Sequence, residues 1–301
     1  MTTSPFRVFS TAVSAAFALS LCALTQSASA EIAVKSGEKI GFLGDSITAG
    51  GWGNPAGYVR LVIAGLAANG VNAEPIPAGI SGHKSDQMLA RVEKDVLSKK
   101  PQWMTLSCGV NDVWHGKRGV PLDDAMAASG EYEKPDKGTY KKNITEILDK
   151  AAAANVKVVV LTATVIKEDL NSPENAKLVP YNDFLRSIAK EKHLALADLN
   201  AAFQERIKAE NKPNQKVLTV DGVHMNTQGN EVMATGILKA FGLDAAQLKK
   251  AQESWVPLEA EAEKKAKEEA EKRAAKAKAD AEAKAKAAAA ATPAAAAPAA
   301  K

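Results

Sequence analysis

An α/β domain built on a parallel sheet covered on both faces is the fold this sequence predicts, and three observations predict it. Apolar, strand-like runs alternate with helix-like segments through the middle of the chain. Those runs are continuously apolar rather than alternating, most clearly Val158 to Leu161, as strands buried on both faces are. The first of them, Ile40 to Leu43, stops abruptly at Gly44-Asp45-Ser46. Such a turn leaves a serine hydroxyl at the sheet's carboxyl edge, where open α/β sheets bind ligands.

Taken in order, Lys39 to Leu43 is the first strand. A helix over about Ala56 to Ala68 follows, its apolar face made by Val59, Leu61, Val62, Ile63 and Leu66, and Asn69-Gly70 stops it. Ala73 to Ile80 reads as a second strand, and its two prolines, unable to donate to a ladder, predict an edge position or an irregular strand. Met88, Leu89, Val92, Val96 and Leu97 mark the next helix, and Trp103 to Cys108 the next strand. A helix over about Tyr140 to Ala154 leads to the β-branched strand Val156 to Thr162. A helix over about Pro180 to Glu191 then precedes a short strand, Leu194 to Ala197. Helices over about Asn200 to Glu210 and Gln228 to Gly242 flank a last loop, which the strand-like stretch Val217 to Val220 enters. The polar stretch Gly116 to Gly138 is a long loop or a short helical insert.

The two ends stand apart from this domain, which spans residues 31–257. Arg7 is the only charged side chain among residues 1–30, an apolar run from about Ala12 to Leu24 follows, and Ala28-Ser29-Ala30 is a small-x-small cleavage site. That is the layout of a secretory signal peptide, with an uncleaved anchor as the alternative. Export to the periplasm or outside the cell is expected, with a mature chain starting at Glu31. From about Leu258 the sequence is rich in Ala, Lys and Glu, with pairs such as Glu261/Lys265 and Glu268/Lys272 placed acid-first at i,i+4. Residues 258–291 therefore read as a solvated helix without an apolar stripe, and the Ala/Pro-rich residues 292–301 as a disordered tail. A spacer is the plain reading of this end; contact with the cell envelope is the sharper one.

Composition narrows the function. Without residues 1–30, Cys108 is the sole cysteine, so no intrachain disulfide supports the fold, and in its apolar run it reads as a packed strand thiol. A formal charge of +4 on 301 residues is too mild to argue for nucleic acid. No Cys/His cluster has metal-ligand spacing, and no cofactor is expected. Oligomeric state is not legible.

Four short segments, each after a strand-like run, carry the chemistry. Ser46 is the nucleophile candidate, and at neutral pH it needs a base, an orienter and oxyanion donors. In Ala78-Gly79-Ile80-Ser81-Gly82-His83 the glycines let backbone amides approach a substrate, though alone such a run is a turn. In Gly109-Val110-Asn111-Asp112 the Asn111 amide can donate to an oxyanion without titrating, and Asp112 can fix the loop; an Asx turn explains the motif equally well by itself. In Asp221-Gly222-Val223-His224 the histidine supplies a base, and the aspartate three residues earlier can reach its Nδ1–H.

Together, and in this order, these segments resemble the GDSL-type esterases and lipases, also called SGNH hydrolases. The resemblance covers the globular part and neither end. It implies a flavodoxin-like three-layer α/β/α domain and ester hydrolysis through an acyl-enzyme. By family position Ser46 is the nucleophile, His224 the general base and then acid, and Asp221 its orienter. The oxyanion hole would be the Ser46 and Gly82 amides with the Asn111 side chain. The second block departs from the family pattern, with Pro77 where an asparagine usually opens it and His83 where an acidic or amide residue often follows the glycine.

Trp52, His83, Trp114 and His115 are the candidate substrate-binding residues. Aromatic faces with hydrogen-bonding neighbours suit sugar rings better than long acyl tails, so a short ester on carbohydrate, acetyl foremost, is the expected substrate. A small molecule or a polysaccharide would carry it. The same tryptophans packing the loops is the plain alternative. Longer acyl chains, as for a lysophospholipase, thioesterase or arylesterase, are the runner-up, and a non-catalytic saccharide- or envelope-binding protein is the reading from another class.

Overall fold

The computed structural model describes residues 1–2, 31–133, 138–212 and 215–291. The expected leader, apart from its first two residues, and the Ala/Pro-rich tail at 292–301 lie outside the described residues.

Five parallel strands form one sheet: β1 (Lys39–Gly44), β2 (Glu74–Gly79), β3 (Trp103–Ser107), β4 (Lys157–Leu161) and β5 (Ala195–Ala197). Their spatial order is β2-β1-β3-β4-β5, the flavodoxin-like order, which reverses between β1 and β3. Around them lie α1 (Ser46–Gly53), α2 (Tyr58–Ala68), α3 (Ser85–Asp95), α4 (Val110–Trp114), α5 (Asp124–Ala127) and α6 (Tyr140–Ala153). The chain continues with α7 (Pro173–Glu191), α8 (Leu199–Glu210), α9 (Thr227–Ala240), α10 (Ala245–Glu253) and α11 (Val256–Ala291). Helices cover both faces of the sheet, giving three α/β/α layers.

Burial follows the apolar pattern. Ile40, Phe42 and Leu43 of β1 and Val158 to Leu161 of β4 are buried, and α2 buries Val59, Leu61, Val62 and Leu66 while packing on α9. Each such side chain contributes roughly 1.5–3 kcal/mol over its exposed state. β2 takes the edge of the sheet, as Pro75 and Pro77 require. Its last residue, Gly79, lies so close to α1 that a Cβ there would come within 2.2 Å of the Ala49 nitrogen.

Helices α4 and α10 stand where the sequence reading expects none, and four further features differ from that reading. The turn after β1 continues as α1, despite Gly50, Gly51 and Gly53, because the Asp45 carboxylate caps it by accepting from Ile47 N and because it packs on β2. Helix α7 starts at Pro173 rather than near Pro180: Ser172 caps it, Pro173 fills its first turn, and Pro180 lies inside. Val217 to Val220 joins no sheet; Thr219 bridges Met225 within a loop. Finally, the charged helix begins at Val256 rather than Leu258, and its first turns are docked rather than solvated. Leu258 packs on the core and Ala262 is buried, just after Trp255, whose indole N–H donates to the Leu61 carbonyl. Beyond Ala262 the helix is exposed as far as its side chains are described.

Candidate active site

The reversal between β1 and β3 opens the crevice in which the site stands. At the end of β1, Asp45 is buried, and burial pushes its carboxyl up to about 6 against the hydrogen bond from Ile47 N. Ser46 then opens α1 and is half-buried. The strand ends are fastened by Arg91 of α3, a buried guanidinium that donates to the Gly44 and Ala78 carbonyls at 2.7 and 2.9 Å.

Gly82 follows β2 with φ +78°, a left-handed conformation that a side chain would strain. Among the described residues, no protein acceptor takes the backbone N–H of Ser46 or of Gly82. Asn111, buried at the start of α4, donates through Nδ2 to Asp45 Oδ2 and to the His83 carbonyl, each at 3.2 Å. Its Oδ1 lies 3.2 Å from His115 Nε2. Asp112 next to it accepts from Ser85 N and Ser85 Oγ, and burial pushes its carboxyl up to about 6. Buried Cys108 donates to the same carboxylate.

The histidine arrives from the far side of the sheet. Leu218 to Asn226 forms a loop whose entry wraps one carboxylate: Glu168, after β4, accepts from Val217 N, Leu218 N, Thr219 N and Thr219 Oγ1. Three successive N–H groups converging on an anion make a backbone nest. Thr219 Oγ1 in turn accepts from Gly222 N. Past it, Asp221 Oδ1 accepts from the backbone N–H groups of Val223 and His224. Its Oδ2 lies 2.6 Å from His224 Nδ1, and His224 Nε2 lies 2.8 Å from Ser46 Oγ. Burial acts to raise the Asp221 carboxyl, but the hydrogen bonds from His224 and Val223 outweigh it and hold it at about 2. A carboxylate can only accept, so Nδ1 carries the proton and Nε2 is left to accept from the serine hydroxyl.

The space at this chain of hydrogen bonds is small. A hollow of about 90 Å³ is lined by Ser46, Ile47, Gly51, His224, Met225 and Asn230, among others. A larger cavity of about 610 Å³ lies beyond α4, against Met126, Tyr132 and Tyr181, and contains neither Ser46 nor His224. Chemistry goes with the smaller one, because only there do a nucleophile and a base meet.

The four aromatic and imidazole candidates divide. Trp114 stands 42% exposed at the end of α4, beside His115 and on the Asn111 side of the site. The His83 ring accepts from Arg91 Nε at 3.1 Å, and burial, then the Arg91 charge, keeps its pKa below the usual imidazole value. Trp52 packs on the core with Arg60 stacked 4.4 Å from its ring centroid, and none of Trp52, His83, Trp114 and His115 is among the residues that line the hollow at Ser46. Glu168, Arg91 and the cap role of Asp45 went unread in the sequence, because the backbone groups that Glu168 and Arg91 hold are 13 to 51 residues away and Asp45 caps a helix not anticipated. Among the described residues, no group of three or more His, Cys, Asp or Glu could hold a metal ion.

A three-layer parallel α/β fold with a serine–imidazole–carboxylate chain at its strand ends is an arrangement suited to hydrolysis through an acyl-enzyme. The model of the GDSL-like Lipase/Acylhydrolase family matches residues 42–232, and the chain belongs to that family. An acetylxylan esterase from Geobacillus stearothermophilus is 27% identical over 223 residues, 70% of this chain and 97% of its own length. The crystal structure of the acetyl xylan esterase AlAXEase matches at 33% identity and TM-score 0.57, covering 67% of this chain and 98% of that one. A catalytic mutant of an acetylxylan esterase from Geobacillus stearothermophilus, with a serine replaced by alanine, matches at 25% identity and TM-score 0.57. That match covers 70% of this chain and 97% of the other. The family and these relatives make the chain a carboxylic ester hydrolase.

Proposed function

We propose that this esterase is exported and removes short acyl groups, acetyl foremost, from carbohydrate, with Ser46 as nucleophile, His224 as base and Asp221 as its orienter. The observation that carries the reading is the continuous chain from Ser46 Oγ through the imidazole to a carboxylate held at about 2. Ser46 Oγ attacks the ester carbonyl as Nε2 takes its proton, and the charge on Asp221 stabilises the imidazolium. The Ser46 and Gly82 N–H groups, both without a protein acceptor among the described residues, and the Asn111 amide would receive the oxyanion. The Asn111 contacts at 3.2 Å are long ones that a charged oxygen would displace. His224 then protonates the departing alcohol, and water hydrolyses the acyl-enzyme by the same steps in reverse.

The acetylxylan esterases among the relatives support both acetyl as the acyl group and carbohydrate as its carrier. Hydrolysis of p-nitrophenyl acetate, p-nitrophenyl octanoate and acetylated xylooligosaccharides tests this directly. Acetate and saccharide turnover that vanishes in Ser46→Ala is expected; octanoate preference overturns the acyl-length reading. Recovery of a secreted chain beginning at Glu31 would support export, and retention of residues 1–30 in the mature protein would oppose it.

A further inference from the structure

We infer that helix α11 forms one wall of the cleft that receives the alcohol part of the substrate, with Lys265 and Glu269 as its hydroxyl-recognising side chains. The inference rests on the esterase reading above and extends it to a segment outside the family match, which ends at residue 232.

A second hollow, about 260 Å³, opens between the end of α1 and α11. Gly53, Asn54 and Pro55 form one side, and Ala262, Lys265 and Glu269 the other. It shares Gly50 and Asn54 with the hollow at Ser46 and His224, so the two adjoin. Neither hollow is lined by Gly82 or Asn111, so the extension runs on the imidazole side of the serine. That is the side from which an alcohol leaves, because Nε2 must hand it a proton.

The lining suits a polyhydroxylated group rather than an acyl tail. Small residues leave the floor open: a Cβ added at Gly50 or Gly53 would meet nothing within 4 Å. Lys265 brings three donors and Glu269 acceptors, one helical turn apart on one face. Both are exposed, and neither side chain is engaged in an ion pair among the described residues. The wall is fixed in place, since Trp255, Leu258 and Ala262 dock the start of α11 on the domain.

The experiment uses the full chain and compares kcat and KM on acetylated xylooligosaccharides with those on p-nitrophenyl acetate, whose alcohol is a single flat ring. Two variants are read, the double substitution Lys265→Ala/Glu269→Ala and Ala266→Trp, which fills the hollow, with Lys272→Ala as a control outside it. The expected result is a saccharide KM raised about tenfold in the first two, with the rise at least about fivefold larger than on the nitrophenyl ester and kcat within about twofold. Saccharide turnover with an unaltered KM in both variants overturns the wall and leaves the esterase reading intact. A wild-type chain that cleaves neither substrate overturns both.

Discussion

The two halves of the site are fastened by different means. On the nucleophile side, Asp45, Ser85, Arg91, Asn111 and Asp112 form a buried hydrogen-bond network that ties the ends of β1, β2 and β3 to α1, α3 and α4. On the base side, His224 and Asp221 keep 37% and 49% of their side-chain surface exposed and ride on a loop that joins no sheet. One carboxylate, Glu168, gathers the entry of that loop. Other hydrogen bonds of the loop, from Asn226 to the Val217 and Leu218 carbonyls and from Val220 N to the His224 carbonyl, run within it, whereas Glu168 ties its entry to the segment after β4. A network held at many points tolerates the loss of one better than such a tie does. Losing a supporting group on the nucleophile side should therefore show chiefly in stability, and losing one on the base side in turnover.

The largest effects break the hydrogen-bond chain itself. Ser46→Ala is expected to lower kcat on p-nitrophenyl acetate by about 10⁵-fold with the melting temperature unchanged. Asp221→Asn is expected to cost about 10³- to 10⁴-fold, because an amide no longer fixes Nδ1 as the protonated nitrogen. A loss below about tenfold would show that the exposed carboxylate is dispensable. Glu168→Ala comes next. Releasing three N–H groups and the Thr219 hydroxyl should lower kcat by about 10- to 100-fold, leave KM nearly as it was, and speed proteolytic cutting near residue 220. Arg91→Ala, its counterpart on the other side, should lower the melting temperature by about 5 °C or more while sparing kcat per folded molecule. Equal kcat losses in these two variants would erase the contrast.

The same contrast explains what was legible in the sequence. The nucleophile side is made of strands followed by turns, so Ser46, Gly82 and Asn111 announce themselves by standing after apolar runs. Asp221 and His224 were legible as a motif, but the strand ascribed to Val217 to Val220 was not there, because a nest around Glu168 replaces a ladder. No local pattern pairs a carboxylate at 168 with amides about 50 residues later. Trp52 is ambiguous in another way, since an aromatic beside the nucleophile turn reads the same whether it faces substrate or stacks on Arg60, as it does here. At the C-terminus, the lack of a large apolar stripe held beyond Ala262, while Trp255 and Leu258 docked the first turns. The capping box Asp244–Gln247 that opens α10 was a signal available and unread.

The smallest effect concerns the cost of burying charge on the nucleophile side. Asp45 and Asp112 have carboxyls pushed up to about 6 by burial, from an ordinary value of 3.8. Between roughly pH 4 and 7 the folded chain thus holds protons at these two sites that the unfolded chain has released, so stability falls as pH rises through about 6. Asp112→Asn separates this from every other titration. Both Ser85 donors point to Oδ1, which an amide oxygen can replace, while the new Nδ2 faces the Cys108 sulfur. Removing the charge relieves the burial cost but exchanges two charge-assisted bonds for ordinary ones, leaving a net gain of about 1 kcal/mol at pH 8. A melting temperature about 3 °C above wild type at pH 8, converging with it near pH 5, is the expected pair of results. A variant less stable than wild type at both values would mean that the charged bonds to Ser85 outweigh the cost of burying Asp112, and that the strand-end network gains stability from its charge.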